Sequence, residues 1–508
     1  MSSALIVNGA REPFARVLER SVALAERLTR ETGLRPHDRL VVALENSSAH
    51  IELVVAAWRL GLQFVAVPPT TSRPTFAGIL ERVSPRAVAV DASNERLCDT
   101  LQDWASVVWD GGEASRDRVV IASGADPIQP RASAQRPDQL AGDWQEWLAH
   151  LPPAIFYTSG STSTAKGVPL LWPRILDKAR VVLSFYGVQP GDRVMPILPL
   201  SHVYGLYCLM GAVSLGADCI AYRESASTAA LAAGLIDHAA TVVICPPIVG
   251  AFLFGRHGAD PRIRDGLRVL SMGGAATSSE QAERIVAALP RTRVFLSYGL
   301  AETYSTISCN EVSLAGSDVA SVGPLRFGAF GEARDPTSGR AVAPGETGEL
   351  CVGGTIMNGY VESQLDAFTA DGLFRTGDLV HVDCDGAVTI TGRLKDMINA
   401  GGLSISPSEI EEAIKQHPAV VDCGVFGEQA GQLEVTCAAV VLRQPWTESA
   451  REQVVDELLD HCRTRLAAKM VPRRILTVTQ IPRGALGKIA RAELRALCAR
   501  SQQLVQDV

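Results

Sequence analysis

Residues 157–167 read Tyr-Thr-Ser-Gly-Ser-Thr-Ser-Thr-Ala-Lys-Gly, between apolar Ala154-Ile155-Phe156 and Val168-Pro169-Leu170-Leu171. Seven hydroxyl-bearing side chains, two glycines and one lysine in eleven residues make little sense as core. Such a loop offers backbone N–H groups and hydroxyls to anionic oxygens, with Lys166 supplying positive charge. A flexible Ser/Thr linker has a similar composition, but it would not sit between two apolar strand-like runs with a lysine at its rim. The loop is expected to hold phosphate. It is not a kinase-type P-loop, which needs G-x-x-x-x-G-K-[ST]. Ala165 stands where that motif places its second glycine, and Gly167 follows the lysine where a Mg²⁺-binding hydroxyl is required.

Around this loop the chain alternates β-rich runs with amphipathic helical ones. Residues 38–45 (DRLVVALE) read as a strand, 49–61 as a helix and 64–69 as a strand, and the alternation recurs through 192–222, 239–253 and 268–296. This is the pattern of βαβ units in parallel or mixed sheets. Residues 110–150 are rich in Asp, Gly, Arg and Gln and read as a surface loop or a loosely ordered connection. From about 331 the texture changes to short strands punctuated by Gly and Pro, a β-rich subdomain. A unit of usual small-domain size follows Arg393. Its first helix has a start signal: Ser406 as cap, Pro407 in the first turn and Glu409 to close a capping box. The expected fold is therefore α/β, with a large N-terminal domain of stacked α/β sheets, the β-rich subdomain at about 325–392, and a small C-terminal α+β domain.

Composition narrows the function classes. A net charge of −7 over 508 residues argues against nucleic acid as a partner, which would call for a basic face. Eleven cysteines without a C-x-x-C pair read as reduced, buried thiols. Nine histidines show no metal spacing. The N-terminus lacks a signal peptide, and the uncharged runs at 203–217 and 239–255 are too short or too Pro-broken to span a bilayer. A cytoplasmic protein with no transmembrane segment is expected.

Further motifs give the loop its context. Residues 272–276 read MGGAA, 298–303 read YGLAET, 358–360 read NGY with Tyr360, 374–378 read FRTGD, 392–396 read GRLKD, and 481–491 read IPRGALGKIAR. Together, and in this order, they resemble the acyl-adenylate-forming (AMP-binding) enzyme superfamily, on its acyl-CoA synthetase branch. The resemblance runs from about residue 38 to Arg491. It implies that Thr158, Ser159, Gly160, Ser161, Thr162 and Lys166 meet the phosphates of ATP. Gly274, Ala275, Ala276, Tyr298, Gly299, Leu300 and Thr303 would line the nucleotide, with Tyr298 stacked on adenine, and Glu302 would hold Mg²⁺. Asp378 and Arg393 would bind the ribose. Lys395 would be the pivot of a hinge at 393–396, between residues 1–392 and a mobile lid at 397–508. Lys488 would be the adenylation lysine, bridging the substrate carboxylate and the α-phosphate as they approach.

The resemblance also implies the reaction: a carboxylic acid is adenylated with release of pyrophosphate, and the acyl group passes to a thiol. CoA is the first choice of acceptor, and the phosphopantetheine of an acyl-carrier protein is the alternative. Gly401 and Gly402 would line the thiol tunnel. His202 falls where amino-acid-adenylating relatives place an Asp, so an α-amino acid is a poor fit; it is a candidate gate between acyl site and tunnel, or a satisfied buried histidine. With Val203, Tyr204, Tyr207, Pro247, Met272 and Gly273 it outlines an apolar pocket for a fatty or aryl acid. Ser163, Ala165, Ala301 and Asn399 depart from the family pattern, which keeps a non-catalytic nucleotide-binding relative as a further alternative. A monomer or homodimer is expected.

Overall fold

The computed structural model describes residues 3–7, 9–110, 118–123, 147–157, 165–223, 226–258, 260–313, 319–362, 367–400, 403–430, 433–443, 448–484 and 487–506. Among these, the chain divides into two compact units. The first comprises residues 1–319, 325–329 and 354–367, and the second 320–324, 330–353 and 368–508. The β-rich segment thus clusters with the residues that follow it.

In the first unit, the strands Arg39–Ala43 and Gln63–Ala66 pair in parallel, joined by the helix Ser48–Arg59. Ser47 caps that helix, accepting a bond from the His50 amide, and residues 48–58 are all buried. This accounts for a helix that is mostly apolar all round, its one carboxylate, Glu52, paired with Arg20 at 2.6 Å. The sheet they found has seven strands, with Ala87–Asp91 beside Arg39–Ala43 and Ala154–Tyr157 beside Gln63–Ala66. Its last strand, Gly167–Leu170, returns antiparallel to Ala154–Tyr157, so the hydroxyl-rich loop joins two paired strands at the sheet edge. At the opposite edge Arg118–Ser123 forms an antiparallel strand between Ala87–Asp91 and Ala105–Asp110. That corrects the loop expected there: Val119-Val120-Ile121 is a short apolar run whose signal is diluted by its polar neighbours.

A second, eight-stranded sheet of the same unit carries six parallel neighbours: Ala4–Val7, Asp218–Ala221, Arg193–Pro196, Val242–Cys245, Val269–Gly273 and Arg293–Leu300. Ser305–Val312 closes one edge antiparallel. Asn46 ties the two sheets together, donating to the Leu198 carbonyl (2.8 Å) and accepting from the Leu200 amide (2.7 Å). Both bonds are buried, where leaving either group unpaired would cost about 1–3 kcal/mol.

The second unit opens on a five-stranded sheet in the order Gly323–Pro324, Ala387–Arg393, Phe374–Val382, Thr347–Gly354, Ala329–Arg334. A long antiparallel pair, Val420–Ala430 and Leu433–Leu442, then takes Arg474–Thr477 in parallel. The helix Pro407–Lys415 packs its Ile410 and Ile414 into that core. It begins where the start signal puts it, but the capping box does not form. Ser406 makes no cap bond and instead donates to the Thr391 carbonyl at 2.8 Å. All eleven cysteines are free thiols, buried except for half-buried Cys98 and exposed Cys384. No helix among the described residues is long and apolar enough to cross a membrane.

Candidate active site

Parallel strands deliver their carboxyl ends to one side of a sheet, where ligands of α/β folds bind. In the first unit Cys245 pairs with Met272, Met272 with Leu296, and Gly273 with Ser297. The segments that leave those ends carry Pro247, Gly274–Ala276 and Tyr298–Glu302, so three of the expected motifs converge through simple register. Gly274 has a φ of +87°, which frees the chain to turn away from its strand. At Tyr298/Gly299 the pairing with Ser305–Val312 shifts register. A Cβ on Gly299 would lie 2.0 Å from the Ser305 carbonyl oxygen, so only glycine fits there.

Thr303 is fully buried, and its hydroxyl accepts from the Leu300 amide (3.0 Å) while facing the Ser305 carbonyl (2.8 Å). It shapes the turn that presents Glu302, and Tyr304 and Ser305 follow with positive φ values of 56° and 80°. Such backbone in non-glycine residues costs energy and persists only where its surroundings enforce it.

A short segment laces these parts together. The Met357 amide donates to the Glu302 carbonyl at 2.7 Å. The Tyr360 hydroxyl donates to the Glu302 carboxylate at 2.8 Å, and the Lys166 ammonium sits 4.6 Å above the Tyr360 ring. The Val361 amide donates to the Gly167 carbonyl (2.9 Å), and Glu362 accepts from the Gly167 amide (2.9 Å) and the Tyr157 hydroxyl (2.8 Å). Burial and the Glu362 carboxylate push the Tyr157 phenol up, so it stays a donor. The sequence singles out Lys166, Glu302 and Tyr360 but not the contacts among them, and it gives no sign of Glu362. The phosphate-loop residues Thr158, Ser159, Gly160, Ser161 and Thr162 lie outside the described residues.

On the acyl side, His202 caps the helix Val203–Ser214, its Nδ1 accepting from the Tyr204 amide at 3.2 Å. An accepting Nδ1 carries no proton, so in the neutral ring the proton sits on Nε2. Val203, Tyr207 and Met272 are fully buried, and Tyr204 and Tyr207 stack at 5.6 Å. Burial raises both phenols well above the usual tyrosine range. The surroundings are less apolar than expected: Tyr186, Ser297 and Ser271 form a buried chain of hydroxyls at 2.6 and 2.9 Å. The Tyr204 hydroxyl is buried close to the Ser271 end of that chain.

In the second unit, Asp378 and Arg393 stand opposite each other on paired strands and form an ion pair. The turn before Asp378 is fixed from below, with Arg375 clasping Glu349 (2.7 Å) and Thr376 donating to the Leu350 carbonyl (2.8 Å). Lys395 lies exposed in the single turn Leu394–Asp396, where Asp396 faces Arg491 at 3.6 Å. Lys488 is exposed at the close of a tight turn, its carbonyl accepting from the Gly484 amide at 2.8 Å. Arg483 pins that turn, bidentate to Asp422 (2.7 and 3.0 Å) and donating to the Gly487 carbonyl (2.6 Å). Gly401 and Gly402 lie outside the described residues.

Residues 2–361 match the AMP-binding enzyme family, and residues 409–488 match the AMP-binding enzyme C-terminal domain. The chain belongs to the AMP-binding enzyme family. It is similar to the 2-succinylbenzoate–CoA ligase of Bacillus velezensis, 28% identical over 499 residues, spanning 97% of this chain and 95% of that protein. It is equally similar to the pyochelin synthase PchD of Pseudomonas aeruginosa, 28% identical over 505 residues that span 97% of this chain and 89% of the other. Its fold is that of the o-succinylbenzoate CoA synthetase MenE from Bacillus subtilis, solved with its acyl-adenylate intermediate. The TM-score is 0.76 at 24% identity, over 97% of this chain and 95% of that one.

The o-succinylbenzoate CoA synthetase MenE from Bacillus subtilis has also been solved with ATP and magnesium ion, and the residues present here fit that ion in one way. Among the described residues no three His, Cys, Asp or Glu groups converge to cage a metal. Glu302 is a lone carboxylate with one oxygen engaged by Tyr360. Mg²⁺ keeps several waters and is usually held by one or two carboxylates plus substrate phosphates, which a lone Glu302 can serve. The ion, when bound, would offset phosphate charge, and Glu302, steadied by the Tyr360 bond, is the carboxylate that would hold it.

Proposed function

We propose that this protein is an AMP-forming acid–thiol ligase that adenylates a carboxylic acid and transfers the acyl group to CoA. What carries this reading is the pair of family matches over residues 2–361 and 409–488, combined with the linked Lys166, Tyr360 and Glu302. In the first half-reaction a carboxylate oxygen of the acid attacks the α-phosphorus of ATP. An O–P bond forms, the α–β bridge breaks and pyrophosphate leaves. Lys166 and Lys488 meet the charge that this step concentrates, two anions forced together in a partly dry site. Asp378 accepts from the ribose hydroxyls, Arg393 supports it, and Tyr298 stacks on adenine. In the second half-reaction a thiol sulfur attacks the acyl carbon, the C–O bond to AMP breaks, and the thiol proton passes to solvent. His202 borders the acyl group, its Nδ1 taken up by the Tyr204 amide.

The reading places the enzyme in the cytoplasm, as a monomer or homodimer, with Lys395 at the pivot at 393–396 between residues 1–392 and 397–508. The test is pyrophosphate release across a panel of aliphatic, aryl and hydroxy acids, with CoA or a phosphopantetheinylated carrier protein as acceptor. Acid-dependent pyrophosphate and CoA-dependent AMP release are expected. Thioester formed only on the carrier protein would move the acceptor assignment, and no pyrophosphate with any acid would leave a non-catalytic nucleotide-binding relative.

A further inference from the structure

The strands that flank the phosphate loop end on a single rung, Tyr157 paired with Gly167. Both members of that rung are held by one carboxylate. Glu362 takes the Tyr157 hydroxyl on Oε1 at 2.8 Å and the Gly167 amide on Oε2 at 2.9 Å, so each oxygen grips one stem. The Gly167 carbonyl is bound in turn by the Val361 amide at 2.9 Å, which leaves Gly167 tied through both of its backbone groups. The rung is also tightly packed: a Cβ on Gly167 would lie 3.1 Å from Ile155, 3.2 Å from the Tyr157 ring and 3.2 Å from Val361.

A carboxylate beside a phosphate-binding loop would repel its ligand unless its charge were balanced. Arg82, on the helix Arg73–Val83, lies 3.7 Å from Glu362 and also donates to the Ala165 carbonyl at 3.5 Å. The pair encloses the C-terminal stem from Ala165 to Gly167 with no net charge of its own. Ala165 stands where a proline would fix φ by backbone alone. Here a side-chain clamp does that work from outside.

We propose that Glu362 is a positioning residue that fixes the mouth of the phosphate loop, and that with Arg82 and Tyr157 it sets the affinity for the triphosphate of ATP. This rests on the adenylation reading, in which the loop meets the phosphates that leave as pyrophosphate. A loop held at its stems has less conformational freedom to lose when the triphosphate binds. AMP lacks those phosphates and does not sense the clamp.

The test compares ATP and AMP binding by isothermal titration in Glu362→Gln and Tyr157→Phe. Glutamine keeps one acceptor oxygen and loses the other together with the charge. In Glu362→Gln, ATP binding should weaken about tenfold and AMP binding change less than about twofold. Tyr157→Phe removes one limb and should weaken ATP about threefold, again sparing AMP. Because both changes act on one clamp, the double variant should be no weaker than Glu362→Gln alone. Thioester formation from supplied acyl-AMP should keep the wild-type rate. Unchanged ATP affinity, or equal weakening of ATP and AMP, overturns the proposal. Should Glu362→Gln fail to fold, the same ratio in Tyr157→Phe decides. Wild-type protein that binds neither nucleotide would instead overturn the adenylation reading.

Discussion

Lys488 sits on a turn, not within a helix, and Arg483 with Asp422 sets the pitch of that turn. Lys488→Ala removes a cation from the step in which two anions meet, so acid-dependent pyrophosphate release should fall at least about 10²-fold. Thioester formation from supplied acyl-AMP should stay within a few-fold, because no anion then approaches another; equal loss in both assays would refute the assignment. Gly299 is constrained differently. With its Cβ position 2.0 Å from the Ser305 carbonyl, Gly299→Ala must part the strand pair that presents Tyr298 and Glu302. A loss of about 3 kcal/mol in urea unfolding is expected, together with weakened nucleotide binding; wild-type stability would show that the pairing yields freely. At this scale the sequence revealed residue types but not their directions. Glu302 and Asp378 were legible as carboxylates in motifs. Thr303 read equally well as a nucleotide contact, yet it spends its hydroxyl on the turn. Glu362 carried no signal, because its work depends on Tyr157 and Gly167, far away along the chain.

Helix starts show what local pattern can and cannot say. Ser227 and Ser278 accept bonds from the amides of Ala230 and Gln281, as cap residues do. Ser406 precedes a helix with an equally good signal but turns its hydroxyl to Thr391 on a neighbouring strand. The two cases part under mutation. Ser278→Ala should cost about 1 kcal/mol and Ser278→Gly only a few tenths, since glycine is a tolerable cap. At Ser406 either change deletes the same tertiary bond, so both should cost about 1 kcal/mol. Glycine rescuing Ser406 in denaturant unfolding would mean that the capping box forms after all. The strand Arg118–Ser123 hides for a related reason: five of its six residues pair with strands on both sides, while their own neighbours in sequence carry no periodicity. The βαβ repeats were legible because each element carries its own pattern. The convergence of the segments after Cys245, Gly273 and Ser297 was legible only as motif order, since register belongs to the sheet.

At the scale of the whole chain the net charge of −7 sets a mild background, and buried titratable groups set the pH response. His50 is fully buried beside Phe64, its Nδ1 bonded to the Leu44 carbonyl, and burial lowers its pKa from 6.5 to about 4. Lys178, buried with its ammonium on the Phe327 carbonyl, is lowered from 10.5 to about 8. Both groups resist protonation in the folded state, so the unfolded chain binds more protons wherever pH lies between the two values. Stability must then rise with pH inside each window. For His50 the contribution is complete above pH 6.5, declines as pH falls toward about 4, and is constant below that. For Lys178 it declines from pH 10.5 to about 8. The two windows do not overlap, which lets one variant isolate one of them. Phe64 packs against Trp172, and Trp172 against Trp58, so tryptophan fluorescence reports on the region around His50. In urea titrations followed by that signal, wild-type stability should fall on going from pH 6.5 to 4.5, by at most about 1.4 kcal/mol per pH unit from this group. His50→Asn should be less stable at pH 7.5 but lose that slope, while the change between pH 8 and 10 stays as in wild type. A variant that keeps the full acid slope would assign it to the carboxylates instead.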